Sequence, residues 1–315
     1  MHRVVKDGGR SRIGASSRIE ISPGFLRELL LFFRGRDYEI ISLDDLYERL
    51  EAGVKGPPFV CFTFDDGYAD VHDIIYPIFK RYNAPFAVYM VTSFVEGDAV
   101  VWWYILEDLL LETDLPIHFT FRGREYCLDV SSKAKKEQAY NILRQILMEL
   151  PQEQVSSLLK RIFPQVEINF LDYNSYQISW KKLLEMAKDP LVTIGAHTVN
   201  HLNLRKLTRD AVLREVMDSK HILEAKLKGP VHHFAYPFGS KEEAGPREFD
   251  LVKRCGFKTA VTMREGAIFP VHRHYTHCLP RVEVTGRHQD LKLIDMRRCG
   301  LISLLKNGFR PVVAD

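Results

Sequence analysis

Two adjacent carboxylates, Asp65 and Asp66, end the apolar run 59–64 and are followed by Gly67. Much later a second apolar run, 191–196, is followed by His197 and His201, four residues apart, so that in a helical turn both imidazoles face one way. Neighbouring carboxylates repel and raise each other's pKa unless a cation lies between them or the two serve different tasks. Two histidines and one carboxylate give a divalent ion three ligands and leave one position open, the pattern of a catalytic rather than a structural metal site. One aspartate can ligate the ion while its neighbour takes a proton from water, because zinc lowers the pKa of its water to about 7. The same donors suit non-haem iron oxygenases, so the ligands alone leave the reaction open. Taken alone, Asp65-Asp66-Gly67 also reads as a helix N-cap with a turn glycine.

The elements that position these residues alternate between strand and helix. Residues 2–5 predict a short strand, and Ser22-Pro23 opens a helix with Leu26, Leu29, Leu30 and Phe33 on one face. A strand at 38–41 leads to a helix capped by Ser42, with Asp45 placed for a capping box. The run 59–64 is a buried parallel strand, 68–82 a helix, and 85–91 another buried strand. From 100 to 176 the rhythm breaks into Trp102-Trp103, a hairpin around Arg122-Gly123 and a charged helical stretch at 133–162, which together read as an insertion. The tryptophans either line a sugar subsite or bury a helix against the core. Alternation resumes with Ser179 capping 180–187, the strand 191–196, a helix from Thr208 to a stop at Gly229, and strands near 231–236, 257–263 and 279–284. Roughly seven or eight strands in this order predict an α/β fold, a closed or nearly closed (β/α) barrel, whose strands carry chemistry at their C-terminal ends. With no internal repeat or linker, residues 1–315 read as one domain with an insertion at 100–176.

Composition narrows the classes of function. At 315 residues, 46% hydrophobic, 27% charged and with a net charge of +3, the chain has a full core and no charge excess that would argue for nucleic acid or a membrane surface. No stretch is long and apolar enough to predict a membrane span, and no signal-peptide core is seen, so the expectation is a cytoplasmic protein. The five cysteines, Cys61, Cys127, Cys255, Cys278 and Cys299, lack CxxC spacing and fit reduced thiols. Oligomeric state is left open.

Three motifs carry a family resemblance. Thr63-Phe64-Asp65-Asp66-Gly67, His197-Thr198-Val199-Asn200-His201 and Phe234-Ala235-Tyr236-Pro237-Phe238-Gly239 resemble, in order, the first three motifs of the polysaccharide deacetylases, the NodB-homology or family 4 carbohydrate esterases. The resemblance implies a distorted (β/α)7 barrel that removes acetyl groups from N-acetylated sugars with a divalent metal, commonly zinc. It assigns Asp65 as the catalytic base and Asp66, His197 and His201 as metal ligands. Tyr236, Pro237 and Phe238 would line the pocket, the Phe238 backbone N–H helping to hold the oxyanion. Trp102 and Trp103 are added as candidate sugar contacts.

Two departures stand out. Ala235 occupies a position where many members have an arginine that orients the base, and the late Leu-x-x-His motif that supplies the general acid is missing. Met1-His2-Arg3-Val4 instead resembles the Tyr-His-x-Val start of a circularly permuted branch that includes the poly-N-acetylglucosamine deacetylases, which makes His2 the candidate acid, with His274 and His277 in reserve. His232 and His233 alternate on a strand and read as packing residues. His72, His118, His221, His272 and His288 read as surface residues. The function expected is metal-dependent removal of N-acetyl groups from a saccharide. The alternatives are a glycan-binding barrel that has lost catalysis and a metal hydrolase of small cyclic amides; zinc is favoured, while cobalt, nickel or iron fit the same ligands.

Overall fold

The computed structural model describes residues 1–6, 13, 18–53, 56–150, 152–298 and 300. Its strands are β1 (Arg3–Val4), β2 (Glu20–Ile21), β3 (Glu39–Ile40), β4 (Phe59–Val60), β5 (Phe62–Phe64), β6 (Phe86–Met90), β7 (Ile117–Phe121), β8 (Arg124–Leu128), β9 (Val192–Ala196), β10 (His233–Ala235), β11 (Thr259–Glu265) and β12 (Leu279–Arg281). Six of them form one parallel sheet in the order β12-β11-β10-β9-β6-β5. The pairs β1-β2 and β3-β4 stand apart from it, so the barrel is a curled half-barrel rather than a closed ring.

Both faces of this sheet are covered, which is why its strands read as unbroken apolar runs. On β6, Phe86, Val88 and Met90 face the outer core, where the helices Pro23–Arg34 and Arg209–Leu227 pack, and Ala87 and Tyr89 face inward. The inward side is filled by the helix Leu43–Ala52, whose Leu43, Leu46 and Leu50 meet Ala87, Tyr89, Ala235, Val261 and Leu279. Ser42 and Asp45 form the expected capping box at its start. Space inside is tight: a Cβ on Gly195 would lie 2.5 Å from the Tyr89 ring.

Three elements differ from the sequence expectation. The run 59–64 is divided at Cys61, so that β4 pairs with β3 and β5 with β6. The helix expected at 68–82 opens as a π-helical turn, Val71–Ile75, and becomes α-helical only at Tyr76–Arg81, with Pro77 in its first turn. The helical stretch of the insertion is two helices, Lys133–Leu147 and Gln152–Ile162, rather than one. The hairpin β7-β8 turns at Arg122-Gly123 as expected, both with positive φ. The insertion packs its own cluster, including Leu106, Leu110, Leu143 and Phe163, beside rather than within the core of the sheet. Among the described residues no helix is long and apolar enough to cross a membrane.

Candidate active site

Asp66, His197 and His201 meet at the C-terminal edge of the sheet, their candidate ligand atoms within 4.8 Å of one another. Asp66 Oδ1 lies 3.5 Å from Nε2 of each histidine, too long for a firm hydrogen bond. That oxygen is buried and, among the described residues, accepts no hydrogen bond. His197 Nδ1 donates to the Ala235 carbonyl at 2.7 Å, which fixes the ring with Nε2 towards Asp66. Burial lowers the pKa of His201 to about 4 although Asp66 pulls it upward, so the ring is neutral at neutral pH, as a ligand must be. Burial raises the pKa of Asp66, but the nearness of His197, His201 and His2 brings it down to about 2. A buried anion facing two imidazole nitrogens fits a divalent cation.

The backbone is bent to make this arrangement. Of the eight non-glycine residues with positive φ among those described, four stand here: Asp66 (75°), Thr198 (67°), His201 (55°) and Phe238 (60°). Such strain persists only where the surroundings fix it, and its gathering at one edge marks the site. Asp66 and Gly67 (φ 89°) turn the chain sharply, so adjacent carboxylates point to different neighbours; a Cβ on Gly67 would lie 2.3 Å from the Met90 methyl group. The residues 197–201 form a loop, not the helical turn that the spacing predicts. They are held by Thr198 Oγ1, which accepts the His201 N–H at 2.9 Å, and by Glu215, which accepts the Val199 and Asn200 N–H groups at 3.1 and 2.9 Å.

Asp65 is gripped by Arg281, whose two terminal nitrogens donate to its two oxygens at 2.7 and 2.8 Å. Burial alone would raise the Asp65 pKa, yet this fork, with His197 and His2 nearby, holds it well below the usual carboxylate range. Arg281 is in turn fixed by donating from Nε to the Thr262 carbonyl at 2.9 Å. An arginine therefore orients the acid despite Ala235, reaching it from β12 rather than β10. His2 lies close enough for Asp66 and Asp65 to raise its pKa against burial, which lowers it more. The Asp65 N–H donates to the Met1 carbonyl at 2.9 Å, placing the chain beside His2 against the end of β5.

The remaining expected residues fall in several places. Trp102, Trp103, His201 and Phe238 line one cleft, whose far wall is Leu147, Met148 and Val155 of the insertion. The Phe238 ring sits 4.7 Å from that of His201, and Trp103 stacks on Phe94 while its Nε1 donates to the Tyr68 hydroxyl at 3.0 Å. Pro237 is buried. Tyr236, expected to line the pocket, is instead buried beside Phe234 and Phe249, with its hydroxyl donating to the His277 carbonyl at 2.8 Å. His277 stands before β12, at the opposite edge, and bonds to the Phe257 carbonyl at 2.8 Å; His274 accepts from Arg273 in the same loop. His233 is buried at the start of β10. Cys61, Cys127, Cys255 and Cys278 are free thiols, and Cys299 lies outside the described residues. Sequence reasoning missed Arg281 and Glu215. A charged residue ending the last strand on the acidic edge was the signal for the first, and an acid between inward-facing Val212 and Val216 for the second.

A family model described as Polysaccharide deacetylase matches residues 52–260. No curated protein matches the chain in sequence. Among solved structures, a Streptococcus pyogenes deacetylase, PplD, in complex with acetate is similar at a TM-score of 0.62 and 17% identity, with 94% of each chain covered. A de-N-acetylase from Aggregatibacter actinomycetemcomitans is similar at 0.59 and 14%, covering 93% of this chain and 96% of that one. IcaB from Ammonifex degensii follows at 0.58 and 16%, covering 91% and 94%. At such identities the likeness to these structures is one of fold.

Proposed function

The chain belongs to the polysaccharide deacetylase family, and on that premise we propose that it is a metal-dependent hydrolase that removes N-acetyl groups from an N-acetylated saccharide. One observation carries the reading: a buried, unpartnered Asp66 oxygen faces two histidines beside an Asp65 that an arginine fork keeps ionised. Asp66, His197 and His201 would hold the ion, with zinc favoured by this ligand set. When bound, a divalent ion acidifies water and polarises a carbonyl.

Asp65, aimed by Arg281, takes the proton from the attacking water. The Phe238 backbone N–H donates to the oxyanion, an interaction of the kind usually worth several kcal/mol. An amine is a poor leaving group as an anion, so its nitrogen must gain a proton as it departs, and His2 is the group assigned to supply it. This keeps the permuted arrangement, with the acid at the start of the motif order. Trp102 and Trp103 offer indole faces to the sugar in the cleft beside His201. Arg281 supports the catalytic reading over a silent binding site, since it can orient the base without an arginine at position 235. A cytoplasmic setting is part of the reading, because Cys61, Cys127, Cys255 and Cys278 are free thiols suited to a reducing compartment.

The test is acetate release from N-acetylglucosamine oligosaccharides together with metal analysis. Turnover should vanish with a chelator and return with zinc. A zinc-loaded protein that releases no acetate from any N-acetylated saccharide would overturn the reading.

A further inference from the structure

The residue after His2 is held far more firmly than a short terminal strand needs. Arg3 is only 7% exposed, and a buried guanidinium is costly unless paired and hydrogen-bonded. Its Nε donates to Asp70 Oδ1 at 2.8 Å and its Nη1 lies 3.4 Å from Glu20 Oε1. Three rings surround the cation, with centroids 4.9 Å (Tyr68), 5.2 Å (Tyr104) and 5.0 Å (Tyr176) from its central carbon. The other oxygen of Asp70 accepts the Val4 N–H at 2.7 Å, so one carboxylate fixes both the side chain of residue 3 and the backbone of residue 4. On the other side of His2, the Met1 carbonyl accepts the Asp65 N–H at 2.9 Å. His2 is thus strung between two fixed points, one of them the backbone of the proposed base itself. Strand β1 is two residues long and, among the described residues, pairs with β2 alone, too little to explain such anchoring.

Two walls of the cage come from the insertion. Tyr104 lies on the helix Trp102–Glu112 and Tyr176 ends the turn Phe170–Tyr176; the two rings stack at 4.7 Å, and the Tyr104 hydroxyl donates to Glu20 Oε1 at 2.7 Å. The third wall, Tyr68, accepts the Trp103 indole N–H from the cleft. Asp70 is presented immediately before the π-helical turn, a wider coil of a kind often found at functional sites.

We propose that Arg3 is a positioning residue that holds His2 against Asp65 and Asp66, and that the insertion, through Tyr104 and Tyr176, sets the place of the proton donor. This rests on the reading of His2 as the donor to the departing amine. Arginine suits the task because its planar fork and its stacking on rings fix direction as well as charge.

The experiment compares two substrates of the metal-loaded full chain: an N-acetylglucosamine oligosaccharide, whose amine must be protonated to leave, and 4-nitrophenyl acetate, whose phenolate leaves without a proton. Arg3→Met and Tyr176→Leu should lower kcat on the amide about tenfold or more with KM unchanged, while ester turnover stays within about twofold. Arg3→Lys should restore part of the loss. In a His2→Ala background, Arg3→Met should cost nothing further, because a residue acting through His2 has nothing left to position. Equal losses on ester and amide, or losses that add to that of His2→Ala, would show a purely structural role and overturn the proposal. Tyr176→Leu carries the same comparison if replacement of Arg3 prevents folding. If His2→Ala spares amide turnover, the donor reading fails and the proposal with it. If His2→Ala selectively loses the amide while Arg3→Met and Tyr176→Leu do not, only the positioning role fails.

Discussion

Asp66 and Asp44 lie at opposite edges of one sheet, and each carboxylate faces a buried histidine. At the C-terminal edge Asp66 Oδ1 is 3.5 Å from His197 and His201, is shielded from solvent, and stands on strained backbone. At the N-terminal edge Asp44 Oδ1 is 3.4 Å from His233 Nε2, but Lys258 Nζ donates to it at 3.0 Å, and Asp44 is about half exposed in the first turn of a regularly capped helix. The difference is who supplies the cation. Asp44 has one covalently attached to the chain, in Lys258; Asp66 Oδ1 faces two histidine nitrogens and, among the described residues, no lysine or arginine donates to it. Acid and histidine in proximity are therefore not enough to suggest a metal site; the absence of an ammonium beside them is what distinguishes the Asp66 cluster.

The contrast can be broken by deletion at either edge. The largest effect should come from His197→Ala, which should lose the metal and at least about 10³-fold in turnover, whereas His233→Ala should keep both; metal content and acetate release read this directly. Next, Asp65→Asn should retain the metal while kcat falls about 10²- to 10⁴-fold, and undiminished turnover would remove Asp65 from the mechanism. Arg281→Lys keeps the charge and loses the fork, so a fall of roughly 10- to 100-fold in kcat is expected, again with metal retained; metal loss would mean that Arg281 supports the ligands instead. At the far edge, His233→Ala should lower unfolding free energy by about 1–3 kcal/mol in denaturant titrations, since it abandons the Thr259 hydroxyl as well as Asp44.

The smallest effect is one of pH. Hydrogen bonds from His233 and Lys258 hold the Asp44 pKa below its ordinary value, against burial. A depressed carboxylate contributes stability that is present above its unfolded pKa, about 3.9, and is lost as pH falls through the folded value. The gap in Tm between wild type and Asp44→Asn should accordingly narrow below about pH 4. A gap that stays constant would mean that the pair is not ionised as described.

Both edges were partly legible in the sequence, for different reasons. Strand ends, capping residues and the spacing of His197 and His201 are local signals, and they picked out the three side chains that meet at the sheet edge, the helix starting at Leu43 and the hairpin at Arg122-Gly123. The loop at 197–201 was misread as helical because four-residue spacing is shared by a helix and by a loop with two left-handed residues; only Thr198 and Glu215 distinguish them. Arg281 was invisible because its role depends on a partner 216 residues away, a distance that no periodicity records. Tyr236 was misplaced for a related reason: alternation puts successive residues on opposite faces, and the inward place next to it belongs to Ala235.

The clamp between Asp65 and Arg281 also imposes an order on biosynthesis. The three candidate ligands are synthesised by residue 201, while Ala235, whose carbonyl orients His197, comes later, and Arg281, which grips Asp65, follows roughly 80 residues after residue 201, some 4–16 s at ordinary elongation rates. During that interval a growing chain carries the candidate ligands but lacks the fork on Asp65. The complete arrangement of these side chains thus belongs to chains whose last sheet strand has docked.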